Sequence, residues 1–312
     1  MDTIIQHLAL VSESKLVGLG DLMKVAAALQ KQASRDLAPT WNISATVDAF
    51  ERLEDVPLGY WPMIVKDDIG FSGAAGIHLD RDRQPFALIS SSSQLDEWSL
   101  TAAHESLEML VDPFGDRLIA GDSPKQGQGR VSFLVEVSDP SEAAQFAYTV
   151  NSILVSDFYT PRYFDPVVSQ GVRYSFTGAI TEPRQVLAGG YLSWVDSTTG
   201  HWWQETMFDG SGPKFRDIGP LDAQNGSLRS QIDRITSVET AKATAPGRTV
   251  AGAAGLTAAM VRPSTTSKAA MWRSQIDGIV GQMHPQQATQ TAQVRRPRRV
   301  REEPAANYDR EA

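Results

Sequence analysis

Leu100-Thr101-Ala102-Ala103-His104-Glu105-Ser106-Leu107-Glu108-Met109-Leu110-Val111-Asp112-Pro113 is the stretch on which the reading of this chain turns. Leu100, Ala103, Leu107 and Leu110 recur at helical spacing and make a stripe fit to pack on a sheet. Thr101, His104, Glu105 and Glu108 share an adjoining face. His104 and Glu108 stand at i and i+4, one turn apart, so both can reach one cation. Glu105 lies about 100° round the helix from His104. It is placed to accept a proton beside a metal without ligating it. Asp112-Pro113-Phe114-Gly115 closes the helix, which is expected over residues 97–111.

Working outward, the upstream chain reads as alternating strands and a helix. His7 to Val11 is a short apolar strand. Leu19, Leu22, Met23, Ala26, Leu29, Ala33 and Leu37 form a helical stripe that Pro39 should stop. Strands are expected at Trp41 to Phe50, at Trp61 to Val65, and in a hairpin of Ile77 to Leu79 with Pro85 to Ser90. Downstream, Arg130 to Val137 alternates as a strand. Asp139-Pro140-Ser141-Glu142 has the signature of a helix start, with Asp139 as the cap. Further strands are expected near Val172 to Phe176 and Tyr191 to Val195, and a short amphipathic helix over Leu228 to Val238. The fold class is therefore α/β (α+β), with a mixed sheet.

His104-Glu105-Ser106-Leu107-Glu108 is an HExxE pattern, and it resembles the HExxH signature of the zincin metallopeptidases. With Asp112-Pro113 and the later Glu136-Val137-Ser138-Asp139, the chain resembles a group of bacterial and plant zincin-like proteins carrying HExxE, Asp-Pro and ExxD. The likeness covers residues 1–165. It implies a zincin-like metal-binding catalytic domain there and an active-site helix bearing His104 and Glu108 as ligands. Glu105 would be the general base for a metal-activated water, and the substrate a peptide or protein. Residues 166–220 would be a β-rich extension completing the domain, and 221–312 short helices and a largely disordered tail. The second carboxylate departs from HExxH and adds a negative charge to the ligand set. Zn²⁺ is the expected ion, with Mn²⁺ or Fe²⁺ tolerated by oxygen-rich ligation.

The third ligand is open at this level. Glu136 faces away from Val131, Phe133, Val135 and Val137 on an apolar strand, and a buried carboxylate there needs a partner. It is the first choice. Asp139 is the alternative, although a helix-capping role would also explain it, and His78, after its glycine-rich turn, is a third competitor for which a substrate-lining or structural role is preferred. His78, Asp112, Asp157 and Tyr159 are candidates for supporting or substrate contacts. Tyr148 and Tyr163 share with Tyr159 the possibility of donating to a developing oxyanion, against simple packing. His201 reads as a turn or surface residue, and His7 and His284 carry no signal.

Composition sets the frame. The chain has 312 residues, a net charge of −8, five histidines and no cysteine. Thiolate metal sites and disulfides are excluded, so any metal uses imidazole and carboxylate. The acidic balance argues against a nucleic-acid partner, although Arg295-Arg296-Pro297-Arg298-Arg299 forms a basic run in the tail. No segment reads as a signal peptide or membrane span, so a cytoplasmic location is expected. The rival reading is a zincin-shaped binding or scaffold protein without turnover, in which His104 and its neighbours are a solvated helix face.

Overall fold

The structure is a computed structural model that describes residues 5–71, 73–208, 210–222, 226–243, 276 and 278. By its contacts the chain divides into 1–270 and 271–312. The piece Met271 to Met283 (apart from Ile276 and Gly278), the arginine-rich run and the expected disorder of 245–312 lie outside the described residues.

The first body is mixed α and β. Strands β1 (Ile5–Ser12), β2 (Ser44–Phe50), β3 (Tyr60–Lys66), β4 (Gly76–Arg81) and β5 (Gln84–Ser90) form a sheet in the order β2-β1-β3-β5-β4. β1 runs parallel to β2 and β3, and β3 runs parallel to β5; only β4 is antiparallel. The central strands are continuous apolar runs because both faces are covered: Leu8, Ala9, Leu10, Met63, Ile64, Ala87 and Leu88 have no exposure. Asp82 and Arg83 both take positive φ, which sets the tight β4–β5 turn.

Helix α1 (Leu19–Lys31) packs on this sheet. The expected stop at Pro39 is corrected here. A π-helical turn, Gln32–Leu37, follows α1 and leads into α2 (Ala38–Trp41), which contains Pro39 in its first turn. A proline's missing N–H is tolerated where one bonding pattern gives way to another. The helix ends at Asn42, which is left-handed with φ 55°. Trp41 therefore belongs to the helix and not to the following strand, and its indole N–H donates to the Tyr159 carbonyl at 3.0 Å.

Helix α3 (Leu95–Val111) carries the HExxE pattern and lies against β4 and β5. On its other side stands the small hairpin of β8 (Tyr148–Val150) and β9 (Ile153–Val155). The second large sheet is antiparallel throughout. It comprises β6 (Leu118–Asp122), β7 (Arg130–Leu134), β10 (Tyr191–Asp196), β11 (His201–Thr206) and β12 (Lys214–Gly219), in the order β12-β11-β10-β7-β6. The strands beyond residue 165 thus join the sheet of β6 and β7 through β10, which pairs with β7 at Trp194 with Phe133. Phe133 and Trp194 are fully buried, and each such side chain contributes about 1.5–3 kcal/mol.

Two other expectations are corrected. Asp139 starts only a 3-10 turn, Asp139–Ser141, because the chain turns away at once toward α3 and β10. Val172 to Phe176 forms no strand, only a single bridge between Tyr159 and Ser175. The last described helix, α4 (Leu228–Ala243), matches the expected amphipathic piece and runs past it. Among the described residues no helix is long and apolar enough to cross a membrane.

Candidate metal centre

The cluster is built on α3, and its polar face is not solvated. Glu105 and Glu108 are 3 % and 0 % exposed. Each is reached by a different part of the chain.

The first partner arrives from β7. After Leu134 the chain leaves the sheet, passes Glu136 and turns at Asp139. The backbone N–H of Ser138 donates to Glu108 Oε1 at 3.2 Å. His104 Nε2 stands 3.2 Å from Glu108 Oε2 and 3.2 Å from Asp139 Oδ1. Donors held about 2.0–2.2 Å from a tetrahedral ion lie about 3.4 Å apart, so this triangle has the size of a ligand set. The Asp139 turn is clamped from behind. The Leu187 N–H donates to the Pro140 carbonyl at 2.9 Å. A Cβ on Gly190 would lie 2.6 Å from the Asp139 carbonyl oxygen, so only glycine permits this approach.

The second partner arrives from β4. His78 is 1 % exposed, with Nε2 3.1 Å from the Asp112 carbonyl oxygen. A carbonyl only accepts, so Nε2 carries the proton, and in the neutral ring Nδ1 is left as a lone pair. That lone pair faces Glu105 Oε2 at 3.5 Å and Glu108 Oε2 at 3.8 Å. Either a proton on Nδ1 or a cation between the ring and the two carboxylates satisfies this buried group, and a backbone carbonyl behind the ring is the usual support of a ligating histidine. Glu105 is held tightly: a Cβ on Gly76 would lie 2.6 Å from Glu105 Oε1 and 2.5 Å from Thr101 Cγ2.

The third partner, Arg229 of α4, is 3 % exposed. Its Nη1 lies 2.7 Å from Glu108 Oε2 and 3.5 Å from Asp139 Oδ2, and it is in contact with Glu136. Its Nε donates to Asp233 Oδ2 at 2.8 Å. His78 Nδ1, Glu105 Oε2, Glu108 Oε2 and both carboxylate oxygens of Glu136 and Asp139 are buried without a hydrogen bond. At these oxygens Glu108, Glu136 and Asp139 lack formal hydrogen bonds but are ion-paired with Arg229 or His104, so the cluster already has positive charge where a divalent ion would also fit. Among the described residues two groups are within reach of an ion: His104, Glu108 and Asp139, and His78, Glu105 and Glu108.

The electrostatics follow from the geometry. Burial opposes the charge on Glu108, but Arg229 and His104 hold its carboxyl far below the usual range. Burial likewise works against protonation of His104, yet the charge of Glu108 and the contact with Asp139 raise it well above the ordinary histidine value. Asp139 goes up, through burial and the neighbouring charge of Glu108.

The two carboxylates considered for the third ligand are placed differently. Glu136 sits against Arg229, and Asp139 is the carboxylate beside His104. The two are three residues apart on an irregular segment, so strand alternation misjudged which one faces α3. Asp112 supports His78 through its carbonyl, while its carboxylate accepts the N–H groups of Asp116 and Arg117. Asp157 accepts from Thr177 and holds a loop. Tyr159 is buried, stacked on Tyr163 at 4.2 Å, and its hydroxyl has no partner. Tyr148 donates to Asp36 and Tyr163 to the Gln185 carbonyl, so both are structural. His201 pairs with Asp217 at the surface and His7 with Thr46. His284 lies outside the described residues. Arg229 carried no sequence signal beyond its i,i+4 spacing to Asp233.

No family model, no curated protein and no solved structure matches this chain. The functional reading therefore rests on the cluster itself.

Proposed function

We propose that this chain is a metal-dependent hydrolase of zincin-like type that cleaves amide bonds in peptides. The observation that carries the reading is the convergence of three buried or nearly buried groups: His104 Nε2 lies 3.2 Å from both Glu108 Oε2 and Asp139 Oδ1, and all three ligand atoms lie within 4.8 Å of one another. His104, Glu108 and Asp139 hold the ion, with Zn²⁺ the first choice and Mn²⁺ or Fe²⁺ compatible with two carboxylates. A divalent ion there supplies Lewis acidity and makes water a nucleophile near neutral pH. Glu105, oriented by His78 and packed under Gly76, takes the proton from the attacking water and returns it to the leaving amine. The unpartnered Tyr159 hydroxyl is the donor for negative charge developing on the scissile carbonyl.

Pro85 to Ser90 lies in β5, which is paired on both sides by β3 and β4, so the edges of the first sheet are β2 and β4; an extended peptide would add at β4, beside α3, where α4 now packs.

Glu105→Gln tests the assignment. The variant should bind Zn²⁺ like the parent, by calorimetry, and lose peptide cleavage by at least a hundredfold. Undiminished cleavage would remove Glu105 as the base. A second reading, a scaffold without turnover, is favoured by one feature: the guanidinium of Arg229 already supplies positive charge to Glu108 and Glu136. Absence of metal after gentle purification, with stability unchanged by chelator, would select it.

A further inference from the structure

Arg229 and a metal ion would draw on the same atom. Glu108 Oε2 is 3.2 Å from His104 Nε2 and 2.7 Å from Arg229 Nη1, and Arg229 also approaches Asp139, the third ligand. A divalent ion and a guanidinium on one buried oxygen repel each other, and each satisfies the acceptors that the other leaves bare. Asp233, one turn along α4, fixes the side chain in this pose.

The helix is seated by a specific device. A Cβ on Gly115 would lie 2.5 Å from Arg229 Cβ, and the Arg229 N–H donates to the Gly115 carbonyl at 3.3 Å. Gly115 belongs to Asp112-Pro113-Phe114-Gly115, the turn that ends the HExxE helix, so the end of α3 is shaped to receive the start of α4. Beyond that seat the described part of α4 makes contacts outside the main core, with Ser230, Ile232, Asp233 and Thr236 buried. Ile232 joins a small cluster with Leu134, Tyr191 and Trp202, separate from the main core, and Thr236 accepts from the Gln204 amide at 2.8 Å. α4 also packs against β4, the free edge of the first sheet.

We propose that α4 is a built-in plug: Arg229 neutralises the carboxylates in the metal-free protein, and loading of the ion and withdrawal of α4 from Glu108 and β4 are one event. This inference rests on the metal reading above and adds its regulation.

Zn²⁺ titration of the full chain tests it, by calorimetry, on the parent, on Arg229→Met, which removes the charge, and on Gly115→Ala. The last variant pushes the helix start away without touching a carboxylate, and it keeps the test sharp if Arg229→Met folds poorly. Both variants should bind Zn²⁺ at least tenfold more tightly than the parent, and His104→Ala should abolish binding in each background. In the parent, Zn²⁺ should raise hydrogen exchange across α4. Equal affinity in all three proteins, with α4 exchange unchanged, overturns the plug and leaves the metal site standing. Weaker binding and lost cleavage in Arg229→Met also overturn it, because Arg229 would then be working machinery. No binding in any of the three overturns the metal reading and the plug together.

Discussion

Glu108 and Glu205 are both carboxylates shut away from water, at 0 % and 8 % exposure, and their surroundings drive them in opposite directions. Around Glu108 converge a guanidinium, an imidazole and the Ser138 N–H, and its carboxyl stays ionised far below the usual range. Glu205, on β11 beside a cleft lined by Pro124, Pro166, Arg184 and Met207, has an oxygen without a partner, and burial alone lifts its carboxyl to about 7. Burial by itself makes an acid neutral. The convergence of donors from α3, the Asp139 turn and α4 is what keeps Glu108 charged, and it is the feature on which the proposed metal site rests.

The contrast is open to attack with one kind of substitution that should have two signs. Glu108→Gln should cost about 3–5 kcal/mol at pH 7, because Arg229 loses a buried counter-charge. Glu108 is shifted down, so its contribution is present above the ordinary carboxylate range and is lost as pH falls. Urea unfolding at pH 7 and pH 3 should show the deficit shrinking on acidification. A constant deficit would make the loss one of shape and not of charge. Glu205→Gln should do the reverse. Its carboxyl is shifted up from 4.5 to about 7, so the parent loses stability as pH rises through that window. The amide should stabilise the protein by up to about 3 kcal/mol at pH 8 and leave it unchanged at pH 4. A destabilised variant at pH 8 would mean that Glu205 has a partner of its own and that the comparison fails.

The smallest effect sharpens the geometry. Gly76→Ala places a methyl group against Glu105 and Thr101 and should cost about 1–3 kcal/mol through overpacking. Its cleavage rate should fall further than its Zn²⁺ affinity, since His104, Glu108 and Asp139 are not touched. Equal loss of both would tie Glu105 to the ion itself.

Much of the first sheet was legible, because parallel strands buried on both faces are plain apolar runs between turn residues. The position of α3 was legible for a different reason: apolar and polar residues separate cleanly at helical spacing, and Asp112-Pro113 ends them. His104 and Glu108 came with it. The choice between Glu136 and Asp139 was not legible, since it depends on where the chain leaves β7 after Leu134, and alternation says nothing beyond that point. The role of His78 needs the Asp112 carbonyl behind its ring, a contact across 34 positions. Arg229 reaches Glu108, Glu136 and Asp139 from a distant part of the chain, and no local pattern encodes such a contact. Pro39 misled because a wider helical turn ahead of it absorbed the break.

Gly190 bears on how the protein is made. The turn that carries Asp139 is braced by a backbone lying on it from 50 residues further along, so the imidazole of His104 cannot meet that acid in its finished position until the later segment has been synthesised and docked. During translation the HExxE helix and its sheet can assemble first, and the ribosome must add β10 before the coordination triangle closes. Until then the emerging chain carries only the half of the cluster that α3 and the first sheet supply.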